Sequence, residues 1–183
     1  SALREELTAD LSKLPDDLLL AFLSGTEVVQ TDDGFTFDNP GELSSDELFR
    51  LFLWWTNRSA LEKYRNPDDG WFYFPSSAIH RTLDCYFRRY SFDIPQCAGY
   101  DTKSGTVVDQ TAALEPGNLR LQRVSKTMDR HKVTYVVDFY PVLDDLQVGP
   151  EPFARQEYTL LCYPGDFYIE SARYVPLDDA ALQ

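Results

Sequence analysis

The chain has little of what common metal, nucleotide and hydrolase sites are built from. Its 183 residues include two histidines and three cysteines, without a Cys-x-x-Cys pair or a His-Glu-x-x-His motif. It also lacks a glycine-rich phosphate loop, a dinucleotide fingerprint and the Gly-x-Ser-x-Gly elbow of serine hydrolases. These absences argue against a structural zinc site, a nucleotide enzyme and a serine hydrolase. We therefore expect no catalytic residues, no metal and no cofactor.

Basic residues and long apolar runs are also scarce. Seventeen Lys and Arg stand against thirty Asp and Glu, for a net charge of -13, which argues against nucleic acid as a partner. Residues 1–50 hold twelve of the acidic residues and only three basic ones. This acidic segment is interpreted either as a solvated acidic face or as a docking surface for a basic partner. No apolar run approaches the ~18 residues of a membrane span, so we expect no transmembrane segment.

The clearest strand runs from Lys132 to Tyr140. It is rich in β-branched and aromatic residues, and it contains no glycine or proline. Strand-like runs flank it at 119–126, 156–163 and 167–174, which predicts an antiparallel sheet with this strand near its middle. Apolar residues fill both alternating sets of the strand, so we expect cover on both faces and burial of Val137 and Phe139.

Helices are predicted mainly ahead of the sheet. Leucine spacing indicates helices at 3–14 and 18–23, and Asp32-Asp33-Gly34 indicates a hairpin. Ser44 and Glu47 have the spacing of a capping box before a long apolar helix. A short strand at 71–74, a helix that Ser76 and Ser77 cap and that runs to about Arg89, and a short strand at 106–108 follow. The fold class is α+β, as one domain over 1–183, with N-terminal helices and hairpin (1–43), an α+β core (44–175) and a tail (176–183).

Aromatic residues between 54 and 92 are the surplus that suggests a binding surface. Strand alternation places Trp71 and Tyr73 on the side opposite Phe72 and Phe74, so one side of this strand is available for stacking on a sugar or peptide. The alternative is that every ring belongs to the core. The predicted ligand-binding residues are Trp71, Tyr73, Trp54, Trp55 and, to meet an acidic group, Arg88 and Arg89.

The reactive residues have plain structural interpretations beside the functional ones. His80 and Cys85 lie five apart, about 140° around a helix, so they should not face each other, and Cys85 is better explained as a small core residue. Cys162 falls in a strand and His131 at a surface reversal. In an oxidising compartment Cys85 and Cys97 would be the preferred disulfide pair, but three cysteines do not decide the compartment.

Acidic pairs sit in three predicted turns, Asp32-Asp33, Asp68-Asp69 and Asp144-Asp145. Carboxylate pairs can bind calcium or hydrolyse glycosides. None completes a calcium-loop spacing, and aspartate is favoured in turns for its backbone hydrogen bonds alone. We therefore assign no metal or catalytic role to them.

Several motifs in order carry a resemblance. Phe-Pro-Ser-Ser-x-Ile at 74–79 leads into Tyr86-Phe87, Gly99-Tyr100-Asp101 follows, and the chain reaches Gly-Asp-Phe-Tyr-Ile-Glu-Ser at 165–171. Over about 44–175 this resembles uncharacterised cell-envelope lipoprotein domains of Gram-positive gut bacteria, with a cystatin-like or NTF2-like plan. The resemblance implies an extracytoplasmic protein that is lipid-anchored through an upstream leader, which a chain beginning at Ser1 would have lost.

Three classes of function remain open. The leading expectation is an extracytoplasmic binding domain for a peptide, a glycan or an envelope protein, without enzymatic activity. A small-molecule enzyme or carrier with a pocket between helix and sheet is the second. A cytosolic regulatory partner protein is the third.

Overall fold

A computed structural model describes residues 16–23, 36–114, 119–163 and 166–177 of the chain. The chain divides into two compact units. We call Ser1–Asp38 with Pro116–Gln183 the meander unit, and Asn39–Glu115 the aromatic unit. The predicted single domain over 1–183 stays a prediction. The predicted helix at 3–14, the Asp32-Asp33-Gly34 hairpin turn and the end of the tail lie outside the described residues.

The meander unit contains a four-stranded antiparallel sheet of long strands. Its strands are β4 (Leu119–Asp129), β5 (Lys132–Pro141), β6 (Ala154–Tyr163) and β7 (Asp166–Val175), paired in the order β4-β5-β6-β7. This confirms the predicted meander, and the predicted central strand is one of the two interior strands. Phe37 adds a bridge to Ala172 of β7 through two backbone hydrogen bonds of 2.9 and 3.0 Å.

One face of this sheet forms a core. Alternate side chains of β5, including Val137 and Phe139, are fully buried, as predicted. Helix α1 (Asp16–Leu23) belongs to the same unit, with Leu19 and Leu23 buried. The Phe22 ring meets that of Phe167 edge-on, with centroids 4.4 Å apart. The helix therefore packs its apolar side on the sheet, as an α+β architecture requires.

The opposite face of the sheet is half-exposed and carries charged side chains, so the prediction of cover on both faces was wrong for this face. Asp138 is buried and forms a bidentate ion pair with Arg155 directly across on β6, through contacts of 2.6 and 2.9 Å. Farther along the same face, Arg173 donates to Glu157 across the β6–β7 pair at 2.9 Å. Cross-strand charge pairs thus fix the register on the side of the sheet where apolar packing does not.

The aromatic unit is built from helices α2 (Ser45–Trp55), α3 (Arg58–Glu62) and α4 (Ser76–Leu83) and 3₁₀ turns at Pro40–Glu42 and Ile94–Gln96. The predicted capping box of α2 is present, because Ser44 accepts from the Glu47 N–H and Glu47 accepts from the Ser44 N–H. No helix among the described residues has the length and apolar character to cross a membrane.

A small antiparallel sheet completes the aromatic unit. Its strands are β1 (Phe72–Phe74), β2 (Tyr100–Asp101) and β3 (Thr106–Asp109), in the order β1-β3-β2. The inner face of β1 is buried through Phe72 and Phe74, and the Phe74 ring lies 5.1–5.9 Å from those of Phe49, Phe52 and Phe72. Of these strands, the sequence predicted β1 and β3 but not the two-residue β2.

Three predictions about α4 and the residues after it were wrong. The helix ends at Leu83 rather than near Arg89, because the Cys85 and Tyr86 N–H groups donate to the carbonyls of Thr82 and Leu83, three residues back, and close it as a tight turn. Cys85 therefore falls on that turn and is exposed, not part of the core. The expected serine cap at Ser76-Ser77 is also absent, since Pro75 holds the N-cap position without a side-chain bond.

Candidate functional site

The outer face of the small sheet presents an exposed tryptophan beside polar side chains. Strand pairing places Tyr73 opposite Val108, and Thr106 opposite Asp101, on the side away from buried Phe72 and Phe74. Trp71 precedes this strand, two residues before Tyr73, and is 42% exposed. We call Trp71, Tyr73, Thr106, Val108 and Asp101 the aromatic face.

Asp69 holds the backbone of Trp71 and the ring of Tyr73 in place. One of its carboxylate oxygens accepts from the backbone N–H of Trp71 at 2.9 Å, and the other accepts from the Tyr73 hydroxyl. The bond from Tyr73 holds the pKa of Asp69 below its usual range, and the bond to Asp69 raises the pKa of Tyr73. The charge of Asp101 raises the Tyr73 pKa further. The face is thus ionised on its acidic side at neutral pH.

Asp101 organises the turn between β2 and β3. Its carboxylate accepts from the Ser104 N–H at 3.0 Å and from the Ser104 hydroxyl, which also contacts the Thr106 hydroxyl at 2.7 Å. These bonds lower the pKa of Asp101. Gly105 closes the turn at φ +68°, a conformation that suits glycine. The result is a row of hydroxyl and carboxylate oxygens on the same face as Tyr73.

A charged network supports the strand from behind. The Arg58 and Arg65 guanidiniums lie 5.0 and 4.5 Å from the Phe72 ring centroid, and Glu62 bonds to both. The bond from Arg65 lowers the pKa of Glu62 to about 2. Arg65 also donates to the Gly70 carbonyl at 3.0 Å, just before Trp71. The turn that presents Trp71 is therefore tied to the end of α3 by these side chains as well as by the backbone bridge between Arg65 and Phe72.

The other predicted site residues lie elsewhere in the aromatic unit. Trp55 stacks flat on Tyr86 at 3.7 Å and contacts Phe87, and Trp54 on the same helix is half-buried. Arg88 and Arg89 are exposed after the turn that ends α4. The charged groups that act on Trp71 and Tyr73 are instead acidic, Asp69 and Asp101. The partial exposure predicted for Trp71 is confirmed, whereas binding by these residues stays a prediction.

None of the three cysteines takes part in a disulfide in this structure. Cys97 is buried and its sulfur contacts the Ser45 carbonyl at 3.6 Å, while exposed Cys85 contacts the Arg81 carbonyl at 3.5 Å. The Cys85–Cys97 bridge expected for an oxidising compartment is not formed in this structure. Cys162 is buried in β6, as predicted, and burial raises its pKa and that of Cys97 to about 11.

Sequence reasoning missed a second polar cluster on α4. The Tyr90 hydroxyl donates to Asp84 at 2.7 Å and lies 2.6 Å from His80 Nδ1. Because the one hydroxyl hydrogen goes to Asp84, His80 Nδ1 must carry the donor hydrogen in this pair. Burial, then the bond to Asp84, raises the pKa of Tyr90. These contacts fix the ring and tautomer of His80 and fold the chain back after α4.

The residues missed at the aromatic face were Asp69 and Asp101. Asp69 was noted only as a turn residue. Its position four residues before Tyr73 was the sequence signal that could have predicted the hydrogen bond between the two side chains. Asp101 pairs through β2, which the sequence did not predict. Among the described residues, no group of three or more His, Cys, Asp or Glu side chains is placed to hold a metal ion.

Comparison with known proteins gives no relative from which a role could be read. No protein-family model matches the chain, and neither a curated protein nor a solved structure matches it.

Proposed function

We propose that the aromatic unit is a carbohydrate-binding domain, with the aromatic face as its binding surface. The observation that carries this is the exposed ring of Trp71, on a backbone that Asp69 fixes beside Tyr73 and a row of oxygen acceptors. A flat indole stacks on the C–H face of a sugar ring, and carboxylate and hydroxyl oxygens accept hydrogen bonds from sugar hydroxyls. The ligand class is a neutral glycan, because the charged groups of this face are acidic.

The rigidity of the face supports a role in binding. The backbone N–H of Trp71 donates to Asp69, and the backbone carbonyl of Trp71 accepts from the Asn66 N–H at 2.7 Å. An aromatic side chain on an ordered backbone loses little conformational entropy when it binds. An extracytoplasmic location, as the envelope resemblance implies, is part of this proposal because cell-surface glycans lie outside the membrane.

Titration with defined glycans tests the proposal. We would measure tryptophan fluorescence and heat with soluble cello-, chito-, xylo- and laminari-oligosaccharides and with peptidoglycan fragments. We expect at least one neutral oligosaccharide to bind, and Trp71→Ala to weaken it by at least about tenfold, as truncation of an aromatic hot spot does. Tyr73→Phe keeps the ring and removes the bond to Asp69, so a smaller loss is expected.

The matched control is Phe153→Ala, which removes an exposed ring from the meander unit. It should leave glycan affinity unchanged. Binding that survives Trp71→Ala would remove the aromatic face from consideration. A lysine-rich peptide that binds through Trp71 while every glycan fails would replace the glycan with a cationic ligand, which the same acidic ring face could hold by cation–π contact.

A further inference from the structure

The connection between β5 and β6, residues 142–153, concentrates exposed apolar side chains. Seven large hydrophobic side chains are exposed among the described residues, and four of them lie on this connection. Leu146 is the most exposed at 79%, followed by Phe153 at 55%, Leu143 at 46% and Val148 at 42%. Such a concentration on a monomer is typical of an interaction surface. We call these residues the 142–153 loop.

The loop is ordered by its own backbone. Val142 and Val148 form a bridge, and the Leu143 N–H donates to the Gln147 carbonyl at 2.8 Å. The Leu146 N–H donates to the Leu143 carbonyl at 2.8 Å, and the Gly149 N–H donates to Pro141 at 2.8 Å. The tip is therefore a closed turn on a short two-stranded stem, and a partner would not have to order it on binding.

Leu146 holds an unfavourable position for a leucine in the free protein. Its φ is +63°, in the left-handed region that costs a non-glycine residue about 1 kcal/mol or more. Glycine or asparagine would relieve this cost at a turn tip. Leu146 is thus unfavourable in the free protein both for its backbone conformation and for the exposure of its apolar side chain. Contact of this side chain with a partner would account for both.

The charges around the tip define the chemistry of the occupant. Asp144, Asp145 and Glu151 are exposed, and residues 142–153 contain no Lys or Arg. With a net charge of -13 on the chain, an anionic lipid surface would repel this loop. Apolar side chains within an acidic rim instead complement an apolar pocket rimmed by Lys or Arg.

We propose that the 142–153 loop docks into an apolar, basic-rimmed pocket of a partner protein. Leu146 is the anchor, Phe153 and Leu143 add apolar area, and the carboxylates of Asp144 and Asp145 meet the basic rim. This is a surface of the meander unit and is independent of the glycan proposal for the aromatic unit.

The test uses a designed amphipathic helical peptide of leucine and lysine, with a second peptide in which glutamate replaces lysine. Amide resonances of the full chain show where each binds, and fluorescence anisotropy gives the affinity. We expect the lysine peptide to shift the amides of 142–153 and to bind at least about tenfold tighter than the glutamate peptide. Leu146→Gly should weaken binding by at least about fivefold, and the Asp144→Asn, Asp145→Asn double variant by a smaller factor.

Leu146→Gly is also its own folding control, because glycine adopts φ +63° without strain. Its melting temperature should equal or exceed that of the parent chain. Val124→Thr removes an exposed apolar side chain from β4 without changing strand preference, and it should leave peptide affinity unchanged.

Four outcomes would overturn the proposal. The first is equal binding of both peptides, and the second is no shift in residues 142–153. The third is loop-dependent binding to phosphatidylcholine vesicles, with or without phosphatidylglycerol, which would make lipid the occupant. The fourth is a doubling of mass in sedimentation that Leu146→Gly abolishes, which would make a second copy of the chain the occupant.

Discussion

The two units of the chain hold their backbones by different means. In the meander unit, strands of ten or eleven residues pair along their length, so backbone ladders fix most of the chain. In the aromatic unit the strands have two to four residues. Rings of Phe49, Phe52 and Phe74 form its core, and carboxylates fasten its turns. Continuous backbone pairing leaves little freedom to position a single residue. Hydrogen bonds from side chains can position one, as the Asp69 carboxylate does for Trp71.

Loss of a buried ring in the meander unit is the largest expected effect. Phe139→Ala should lower the free energy of unfolding by about 3–5 kcal/mol, because Phe139 is fully buried on an interior strand. Denaturant unfolding followed by circular dichroism measures this. Phe153→Ala, an exposed ring in the same unit, should change it by less than about 0.5 kcal/mol.

Phe139→Ala also tests whether the two units unfold together. All three tryptophans, Trp54, Trp55 and Trp71, lie in the aromatic unit, so tryptophan fluorescence reports that unit. For the single domain predicted from the sequence, the fluorescence and circular dichroism midpoints of Phe139→Ala should fall together. An unchanged fluorescence midpoint would show that the two units unfold separately.

Loss of a buried ion partner should come next. Arg155→Met leaves the carboxylate of Asp138, 5% exposed, without its bidentate partner. We expect a loss of about 2–4 kcal/mol, because a buried charge without compensation is strongly destabilising. Arg173→Met removes a similar cross-strand pair whose arginine is mostly exposed, and it should cost less than about 1 kcal/mol. Equal losses in both variants would contradict the burial of Asp138.

Alkaline pH should weaken both units through their buried thiols. Burial raises the pKa of Cys97 and Cys162 to about 11, whereas an unfolded thiol ionises near pH 9. Between these values the unfolded state holds fewer protons, so stability falls as pH rises from about 9 to 11. At pH 10 each thiol should account for about 1 kcal/mol of this loss.

Cysteine variants separate this effect from tyrosine ionisation. Cys97→Ala and Cys162→Ala should each reduce the fall in unfolding free energy between pH 8 and 10, relative to the parent chain. Cys85 is exposed and serves as the accessible thiol for comparison. Thiol labelling at pH 8 should modify one cysteine in the native chain and three in denaturant. Three rapidly labelled native thiols would contradict the burial of Cys97 and Cys162.

The regular parts of the fold could be predicted from local sequence, and the tertiary ties could not. The residues of β5 are mostly β-branched or aromatic, without an internal glycine or proline, which favours a strand, and similar runs flank it. The four strands of the meander and their order were therefore predicted. By contrast, β2 consists of two residues and exists because Tyr100 and Asp101 pair with β3. The end of α4 depends on a tyrosine seven residues later that bonds to Asp84. No local pattern contains such contacts.

The candidate site divides in the same way. Alternation along β1 was enough to place Trp71 and Tyr73 on the side opposite Phe72 and Phe74, and the structure exposes Trp71 while it buries the two phenylalanines. Arg88 and Arg89 were chosen as charged partners from nearness in sequence, and their role in binding stays a prediction, whereas the charged groups found at the face are acidic. Asp69 and Asp101 are placed there by a turn and by a strand pair.

Loss of a helix cap is the smallest expected effect. Two serines compare the capping box of α2, which was predicted correctly, with the serine cap of α4, which was predicted wrongly. Ser44→Ala removes the acceptor of the Glu47 N–H in the capping box of α2 and should cost about 1 kcal/mol. Ser77→Ala, at the start of α4, should cost less than about 0.5 kcal/mol, because Pro75 is the N-cap there and no side chain caps the helix. Both serines lie in the aromatic unit, so tryptophan fluorescence in denaturant measures both. If Ser77→Ala cost as much as Ser44→Ala, the α4 N-terminus would be capped by its serines after all, and α4 would begin after Ser77 rather than at Ser76.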